Sequence, residues 1–138
     1  MPIITSETPA EGVAVITMSN PDINNHGSWA GIGQLADAMA AAREAGARVT
    51  VLASAVPGHW FEHAWLTDLV ATMKGEETTG EGAAWGSALQ EIGATDVVTI
   101  AAVSGDCSGG GAELGWSCDL RIAEQQALFG QPEVQLAL

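Results

Sequence analysis

The sequence predicts an α/β domain, and three features of the chain support this fold class. Two β-branched runs, VAVITM and VTVLAS, flank an alanine-rich segment whose larger apolar residues recur at helical spacing. A third apolar run, VVTIAAV, precedes three consecutive glycines, Gly109, Gly110 and Gly111. With 138 residues the chain can bury one hydrophobic core, so we predict a single domain over residues 1–138.

The first part of the chain is predicted to form a strand, a helix and a second strand. VAVITM, residues 13–18, follows a turn that contains proline and glycine and has the composition of a strand. A helix is expected over residues 28–45, with Ser28 as its N-cap and Gly46 as its C-terminal stop. Residues 48–55 are almost continuously apolar, which indicates a strand buried on both faces.

The second part continues the alternation of helices and strands. A turn leading into a helix is predicted over residues 57–69, and an acidic, glycine-rich mobile loop over residues 73–82. A helix over residues 83–92 leads into a strand over residues 97–103, and the glycine turn directly follows that strand. A short helix over residues 110–116, a strand in CDLRIA and a strand that carries the FGQPEV motif complete the pattern.

Charge and composition exclude several classes of function. The chain has 17 acidic and 4 basic residues, and its net charge of −13 would repel nucleic acid and anionic membranes. Cys107 and Cys118 lack the spacing of metal ligands, so we expect reduced thiols, no metal and a cytoplasmic location. The N-terminus lacks the pattern of a secretory signal, and no apolar run is long enough to span a bilayer.

The glycine turn and two glutamates are the strongest chemical signal from the residues alone. A backbone without side chains can approach a ligand closely, and the first N–H groups of a helix starting there would point at negative charge. Glu113 lies just past the glycines, and Glu133 lies on the strand predicted next. Alternatively, Glu113 only offsets the helix dipole, which typically contributes about 0.3–1 kcal/mol, and Glu133 is an ordinary solvated residue.

The order of the motifs VAVITM, VTVLAS, WFEHAWL, GGGAEL, CDLRIA and FGQPEV resembles the crotonase superfamily, the enoyl-CoA hydratases and isomerases. The resemblance implies a crotonase-like spiral of ββα units and an acyl-CoA thioester substrate. It also implies assembly into a homotrimer or hexamer, and no cofactor beyond the coenzyme A of the substrate. Members of the superfamily continue well past the FGQPEV motif, so we expect this chain to carry the N-terminal core and to lack the C-terminal helical portion.

The resemblance also assigns candidate residues to the site. Gly110 and Ala64 correspond to the two backbone N–H donors of the oxyanion hole, although a shift of one residue would make Trp65 the second donor. His63 takes a position that is usually glycine, and Trp65 takes one that is usually aspartate. His63, Trp65 and Gly109 are therefore candidate substrate-binding residues, whereas local packing of His63 on a backbone partner is the alternative interpretation.

Glu113 and Glu133 match the glutamate pair of the hydratases. Adding water across a double bond conjugated to a thioester needs a base for the water proton and an acid for the α-carbon, and two carboxyl groups can share these roles. We therefore predict an enzyme that hydrates a 2-enoyl-CoA to a 3-hydroxyacyl-CoA. The alternatives are an isomerase or another crotonase-type enzyme acting on a specialised acyl thioester, and a non-catalytic assembly subunit.

Overall fold

The computed structural model of the protein describes residues 2–136. The strands are β1 (Ile4–Ala10), β2 (Val13–Met18), β3 (Val49–Ser54), β4 (Gly58–His59), β5 (Val98–Val103), β6 (Gly105–Ser108), β7 (Leu120–Ala123) and β8 (Phe129–Gly130). The α-helices are α1 (Trp29–Glu44), α2 (Leu66–Lys74), α3 (Ala84–Ile92) and α4 (Gly109–Ser117), and short 3-10 turns cover Pro21–Ile23 and Pro132–Leu136. The predicted α/β class is thus confirmed, and the predicted bounds of α1, α3, α4, β2, β3 and β5 agree with the structure to within one residue.

A five-stranded sheet with the order β1-β2-β3-β5-β7 forms the larger layer. Strands β1 and β2 are antiparallel, whereas every other pair in this sheet is parallel. Strand β1 was not predicted, because Pro9 was assigned to a turn. Proline lacks an N–H but is tolerated in an edge strand, and the β1–β2 register shifts between Glu7 and Ala10, so the strand includes this proline at the edge of the sheet.

A second, smaller parallel sheet has the order β4-β6-β8 and carries the region of the glycine run. Strand β6 lies between β5 and the glycines, so the prediction that the glycine turn directly follows β5 is wrong. Glu133 was predicted on a strand but lies in the 3-10 turn Pro132–Leu136, immediately after β8. Strands of two to four residues are too short for residue alternation to reveal them in the sequence.

The hydrophobic core lies where α1, α3 and α4 meet the sheets. Trp60 and Phe61 stack with their ring centroids 4.2 Å apart, and both side chains are almost completely buried. The other large residues at the centre of the core are Ile16, Met18, Ile32, Leu35, Leu52 and Leu114. Because Trp60 and Phe61 are fixed in the core, the segment that follows them is held at a defined position.

The first turn of α1 is tied to the loop between α2 and α3. Asp68, which is 1% exposed, accepts a hydrogen bond from the Trp29 N–H at 2.8 Å and from the Thr79 N–H at 2.9 Å. The loop predicted as mobile over residues 73–82 is therefore connected to a helix terminus by hydrogen bonds to the buried Asp68 carboxylate. No helix within residues 2–136 is both long enough and apolar enough to cross a membrane.

Candidate active site

The candidate site is built from two segments, residues 61–64 and residues 108–113, that lie side by side. The Ser108 N–H donates to the Phe61 carbonyl over 3.3 Å, and the His63 N–H donates to the Ser108 hydroxyl over 3.3 Å. The backbone of Gly111 contacts the Phe61 carbonyl so closely that a Cβ atom at Gly111 would overlap its oxygen. The buried Trp60–Phe61 pair and the start of α4 thus fix each other's backbones.

Each of the three glycines meets a different neighbour, which explains why side chains are absent from all three positions. Gly109 has a φ of +51°, and a Cβ atom there would overlap the Glu133 carboxylate and lie 2.5 Å from the Cβ of His63. A Cβ atom at Gly110 would lie 2.5 Å from the ring of Trp85. The glycine run therefore brings the first turn of α4 against the Glu133 carboxylate.

The first N–H groups of α4 are not capped by a side chain. Ser108 occupies the N-cap position but makes no capping hydrogen bond, and no side chain within residues 2–136 accepts from the N–H groups of residues 109–111. Uncapped N–H groups at a helix N-terminus carry partial positive charge and bind anions well. Gly110, the second residue of the helix, therefore presents a donor suited to a developing oxyanion.

The EHAWL segment presents a second unused donor. The Gly27 N–H donates to the His63 carbonyl over 2.9 Å, and the Trp65 N–H donates to the Gly27 carbonyl over 3.0 Å. The intervening Ala64 N–H faces the other way and has no hydrogen-bond partner within residues 2–136. Of the two donors that the sequence left open, Ala64 is the one whose N–H is available, because the Trp65 N–H is already bound.

The two predicted glutamates differ in their surroundings. Glu133 contacts Gly109 with one carboxylate oxygen, and the other oxygen, Oε2, is buried without a hydrogen-bond partner in the described part of the chain. Glu113 is exposed on α4, and its Oε1 accepts a hydrogen bond from the Gln131 amide over 2.9 Å. Gln131 was not selected from the sequence, although its place two residues before Glu133 in FGQPEV could have indicated it.

His63, Trp65 and His26 line a cavity of about 330 Å³ next to the candidate site. The His63 Nδ1 lies 2.9 Å from the Ala64 carbonyl oxygen, and its Nε2 lies 3.1 Å from the Nε2 of His26. The histidine at the usual glycine position thus packs locally on a backbone partner, as the alternative interpretation expected. It also has a second partner, His26, to which the sequence assigned no role.

Comparison with known proteins places this arrangement in a family. The family model described as enoyl-CoA hydratase/isomerase matches residues 8–138. The chain belongs to the enoyl-CoA hydratase/isomerase family. Its fold is the crotonase fold, since a crystal structure of an enoyl-CoA hydratase from Thermoplasma volcanium superposes with a TM-score of 0.83 at 26% identity, covering 100% of this chain and 54% of the other.

Two curated members of the family show the extent of the similarity. The mouse enoyl-CoA hydratase domain-containing protein 2, mitochondrial, is 35% identical over 131 residues, which is 94% of this chain and 44% of the relative. The short-chain-enoyl-CoA hydratase of Clostridium acetobutylicum is 59% identical over 39 residues, or 28% of this chain and 15% of the relative. The chain therefore spans about half the length, or less, of the proteins that it resembles.

A buried carboxylate adjoins the two segments of the candidate site in this enoyl-CoA hydratase/isomerase family member and was not selected from the sequence. Glu62 is 7% exposed, and its carboxylate accepts hydrogen bonds from the Ser108 hydroxyl and from the His59 Nδ1, the latter over 2.8 Å. Each residue carries its own signal in the sequence, since Glu62 is an acidic residue inside the apolar WFEHAW segment and Ser108 directly precedes a glycine run, but neither signal points to the other residue.

The two cysteines are also close to α4 but are unsuited to nucleophilic chemistry. Burial, with a smaller contribution from Glu62, raises the pKa of Cys107 to about 12, and burial raises the pKa of Cys118 to about 11. Both thiols therefore stay protonated near neutral pH, and a protonated thiol is a weak nucleophile. Within residues 2–136, no three His, Cys, Asp or Glu side chains are arranged to hold a metal ion.

Proposed function

We propose that this family member catalyses the addition of water to a 2-enoyl-CoA thioester to give a 3-hydroxyacyl-CoA. The Ala64 and Gly110 N–H groups would bind the thioester oxygen, and Glu113 and Glu133 would act as the acid/base pair. Gly109, His63 and Trp65, which lie next to these groups, would make further contacts with the substrate. The only non-protein group in this proposal is the coenzyme A of the substrate itself.

The observation that carries the proposal is the Glu133 carboxylate beside the uncapped start of α4. Its Oε2 is buried and has no protein partner in residues 2–136, although burying an unpartnered carboxylate oxygen is unfavourable. A carboxylate oxygen that is buried without a protein partner is available to bind and deprotonate a water molecule. The uncapped N–H of Gly110, in the turn that this carboxylate contacts, is suited to stabilise the negative charge that the reaction creates.

The proposed steps follow from these positions. Glu133, whose Oε2 is free, takes a proton from the water that attacks the β-carbon, and the thioester oxygen gains negative charge as the double bond shifts. The Ala64 and Gly110 N–H groups stabilise this enolate-like oxygen. Glu113, oriented by Gln131, delivers a proton to the α-carbon, which completes the addition.

The test is the loss of enoyl-thioester absorbance, measured with wild type, Glu113→Gln and Glu133→Gln. General acid–base groups typically contribute about 10²–10⁴-fold to the rate, so each substitution should lower kcat by at least about 100-fold. Glu44→Gln, at the exposed end of α1, is the matched control and should leave kcat unchanged. Unchanged turnover in both site variants would exclude the mechanism.

A second candidate is the isomerisation of an enoyl-CoA, in which one carboxylate shuttles one proton. It is favoured by the difference between the glutamates, since Glu133 is partly buried beside the glycine turn whereas Glu113 is exposed and bound to Gln131. A panel of thioesters separates the two reactions. Migration of the double bond without net hydration, lost in Glu133→Gln and retained in Glu113→Gln, would favour isomerisation.

The remaining parts of the proposal concern the protein in solution and in the cell. We infer a homotrimer or hexamer, which light scattering can measure, and a cytoplasmic location, which fractionation can test against the mitochondrial location in the name of the mouse relative. The non-catalytic alternative predicts that calorimetry with acyl-CoA ligands detects no binding, whereas the enzymatic proposal predicts binding.

A further inference from the structure

Ser108 stands where a serine ordinarily caps a helix. Its backbone is extended, with φ −135° and ψ 153°, and α4 starts at the next residue. An N-cap serine accepts a hydrogen bond from the N–H of the second or third helical residue, which here are Gly110 and Gly111. Capping would therefore occupy the N–H of Gly110 or that of its neighbour, although the proposed function needs the Gly110 N–H for the thioester oxygen.

A serine in the same molecule shows what capping looks like. Ser28 precedes α1 with an extended backbone, and its hydroxyl accepts a hydrogen bond from the Gly31 N–H over 3.1 Å. Both serines have an extended backbone, but φ is −67° at Ser28 and −135° at Ser108, and Gly109, the first residue of α4, has a φ of +51°. The groups around the Ser108 side chain also differ from those around Ser28.

The neighbouring groups turn the Ser108 hydroxyl away from α4. It donates to the Glu62 carboxylate and accepts from the His63 N–H over 3.3 Å. Glu62 is itself fixed, because its N–H donates to the Asn25 carbonyl over 3.1 Å and its second carboxylate oxygen accepts from His59 over 2.8 Å. A charge-assisted hydrogen bond is about twice as strong as a neutral one, so the carboxylate competes well against a backbone N–H for the serine.

We propose that Glu62 is a positioning residue that prevents Ser108 from capping α4 and so keeps the Gly110 N–H open to the substrate oxygen. The inference rests on the proposed oxyanion role of Gly110, but it makes a separate prediction about a hydrogen bond in the free protein. In Glu62→Ala the Ser108 hydroxyl loses its carboxylate acceptor, and we expect it to bind an N–H group in the first turn of α4 instead. Removing the hydroxyl as well, in Glu62→Ala/Ser108→Ala, should leave the Gly110 N–H available to the substrate again.

The first measurement is steady-state kinetics on wild type, Glu62→Ala, Ser108→Ala and the double variant. A serine N-cap typically contributes about 1 kcal/mol, equivalent to about a fivefold population shift at 1.4 kcal/mol per tenfold. We therefore expect kcat to fall about fivefold in Glu62→Ala and to recover in the double variant to the value of Ser108→Ala. An equal loss in Glu62→Ala and in the double variant would overturn the inference, because a general loss of packing has no reason to be reversed by a second truncation.

The second measurement is amide hydrogen exchange by NMR, which needs no substrate and also reports that each variant is folded. The amides of Gly110 and Gly111 should exchange fast in wild type, one of them should become protected in Glu62→Ala, and exchange should be fast again in the double variant. The same exchange at both glycines in wild type and Glu62→Ala would overturn the inference. If the expected exchange pattern occurs in a protein without hydratase activity, the proposed function fails while the role of Glu62 toward Ser108 stands.

Discussion

Helices α1 and α4 both begin after an extended serine, but the structure uses their first N–H groups in opposite ways. In α1 the N–H of Trp29 donates to Asp68 over 2.8 Å, that of Ala30 to Thr79 over 3.1 Å, and that of Gly31 to Ser28 over 3.1 Å. In α4 none of the corresponding N–H groups donates to a side chain within residues 2–136. Side chains bind the first N–H groups of one helix, whereas no described side chain binds those of the other.

Under the proposed function, this difference separates a structural role of α1 from a substrate-binding role of α4. Binding the free N–H groups of a helix start stabilises the folded state, so α1 contributes to stability through residues from two other parts of the chain. Leaving them unbound costs stability but leaves donors for a ligand, which is the common compromise at functional sites. The comparison can be tested by changing matched positions of the two helices and measuring stability.

The largest difference should come from adding one methyl group at the third position of each helix. In Gly111→Ala the new Cβ would overlap the Phe61 carbonyl and lie 2.8 Å from the Glu62 nitrogen, both of them backbone atoms. Since backbone cannot move aside as a flexible side chain can, we expect a loss of about 3 kcal/mol or more in urea denaturation.

Gly31→Ala is the matched variant in α1. Its new Cβ would lie 3.1 Å from the Ser28 hydroxyl and 3.3 Å from an Ile3 methyl, both of them side-chain atoms. Alanine is also favoured over glycine in helices by up to about 1 kcal/mol, so the net change should stay within about 1 kcal/mol. Equal losses in Gly31→Ala and Gly111→Ala would contradict the view that only α4 is fixed against a neighbouring backbone.

A smaller loss of unfolding free energy is expected when Asp68, the side chain that binds the first N–H group of α1, is removed. Asp68→Ala leaves the N–H groups of Trp29 and Thr79 without their acceptor, and unsatisfied buried donors cost about 1–3 kcal/mol each. We expect a total loss of about 2–3 kcal/mol in urea denaturation, because water can reach part of the loop. Asp37→Ala, at an exposed position of α1, should change stability by less than about 0.5 kcal/mol, and a loss as large as that of Asp68→Ala would contradict the assignment.

The sequence predicted α1 and its cap because both depend on local patterns. Ser28 and the spacing of the apolar residues after it lie within one helix, and the structure confirms both. The partners of that helix start could not be predicted, since Asp68 and Thr79 lie far along the chain and reach α1 only through tertiary packing. Strands β4 and β6 were missed for a related reason, because they are short and exist through pairing with each other.

At the candidate site, the sequence selected the residues that a motif could carry. The glycine run and the two glutamates have a fixed order and spacing, so resemblance was sufficient to select them. The Glu62 carboxylate and Ser108 are 46 positions apart in the chain, and no local pattern connects them. The choice of Ala64 over Trp65 as the proposed second N–H donor also needed the structure, since only the hydrogen bond from Trp65 to Gly27 distinguishes the two.

The smallest effect is expected from a mild rise in pH, and it tests whether α4 stays packed although its N-terminus is unbound. Cys107 precedes α4 and Cys118 follows it, and burial raises their pKa values to about 12 and about 11. At pH 7 these thiols are protonated in both the folded and the unfolded chain, and at pH 8.5 only a minority of the unfolded thiols is ionised, so the unfolding free energy should fall by less than about 1 kcal/mol between pH 7 and 8.5. Above pH 9 the unfolded chain releases protons that the folded chain retains, so stability should fall as the pH rises toward 11 and 12.

Urea denaturation at pH 7, 8.5 and 10 measures this dependence, and Cys107→Ala/Cys118→Ala is the control in which the thiol contribution to the loss above pH 9 should disappear. A thiol reagent at pH 8 gives an independent measure, because buried protonated thiols should react much more slowly in the native protein than in urea. If both cysteines reacted at the unfolded rate, α4 would open readily in solution. The unbound N–H groups at its start would then reflect a frayed helix and not a site held open for substrate.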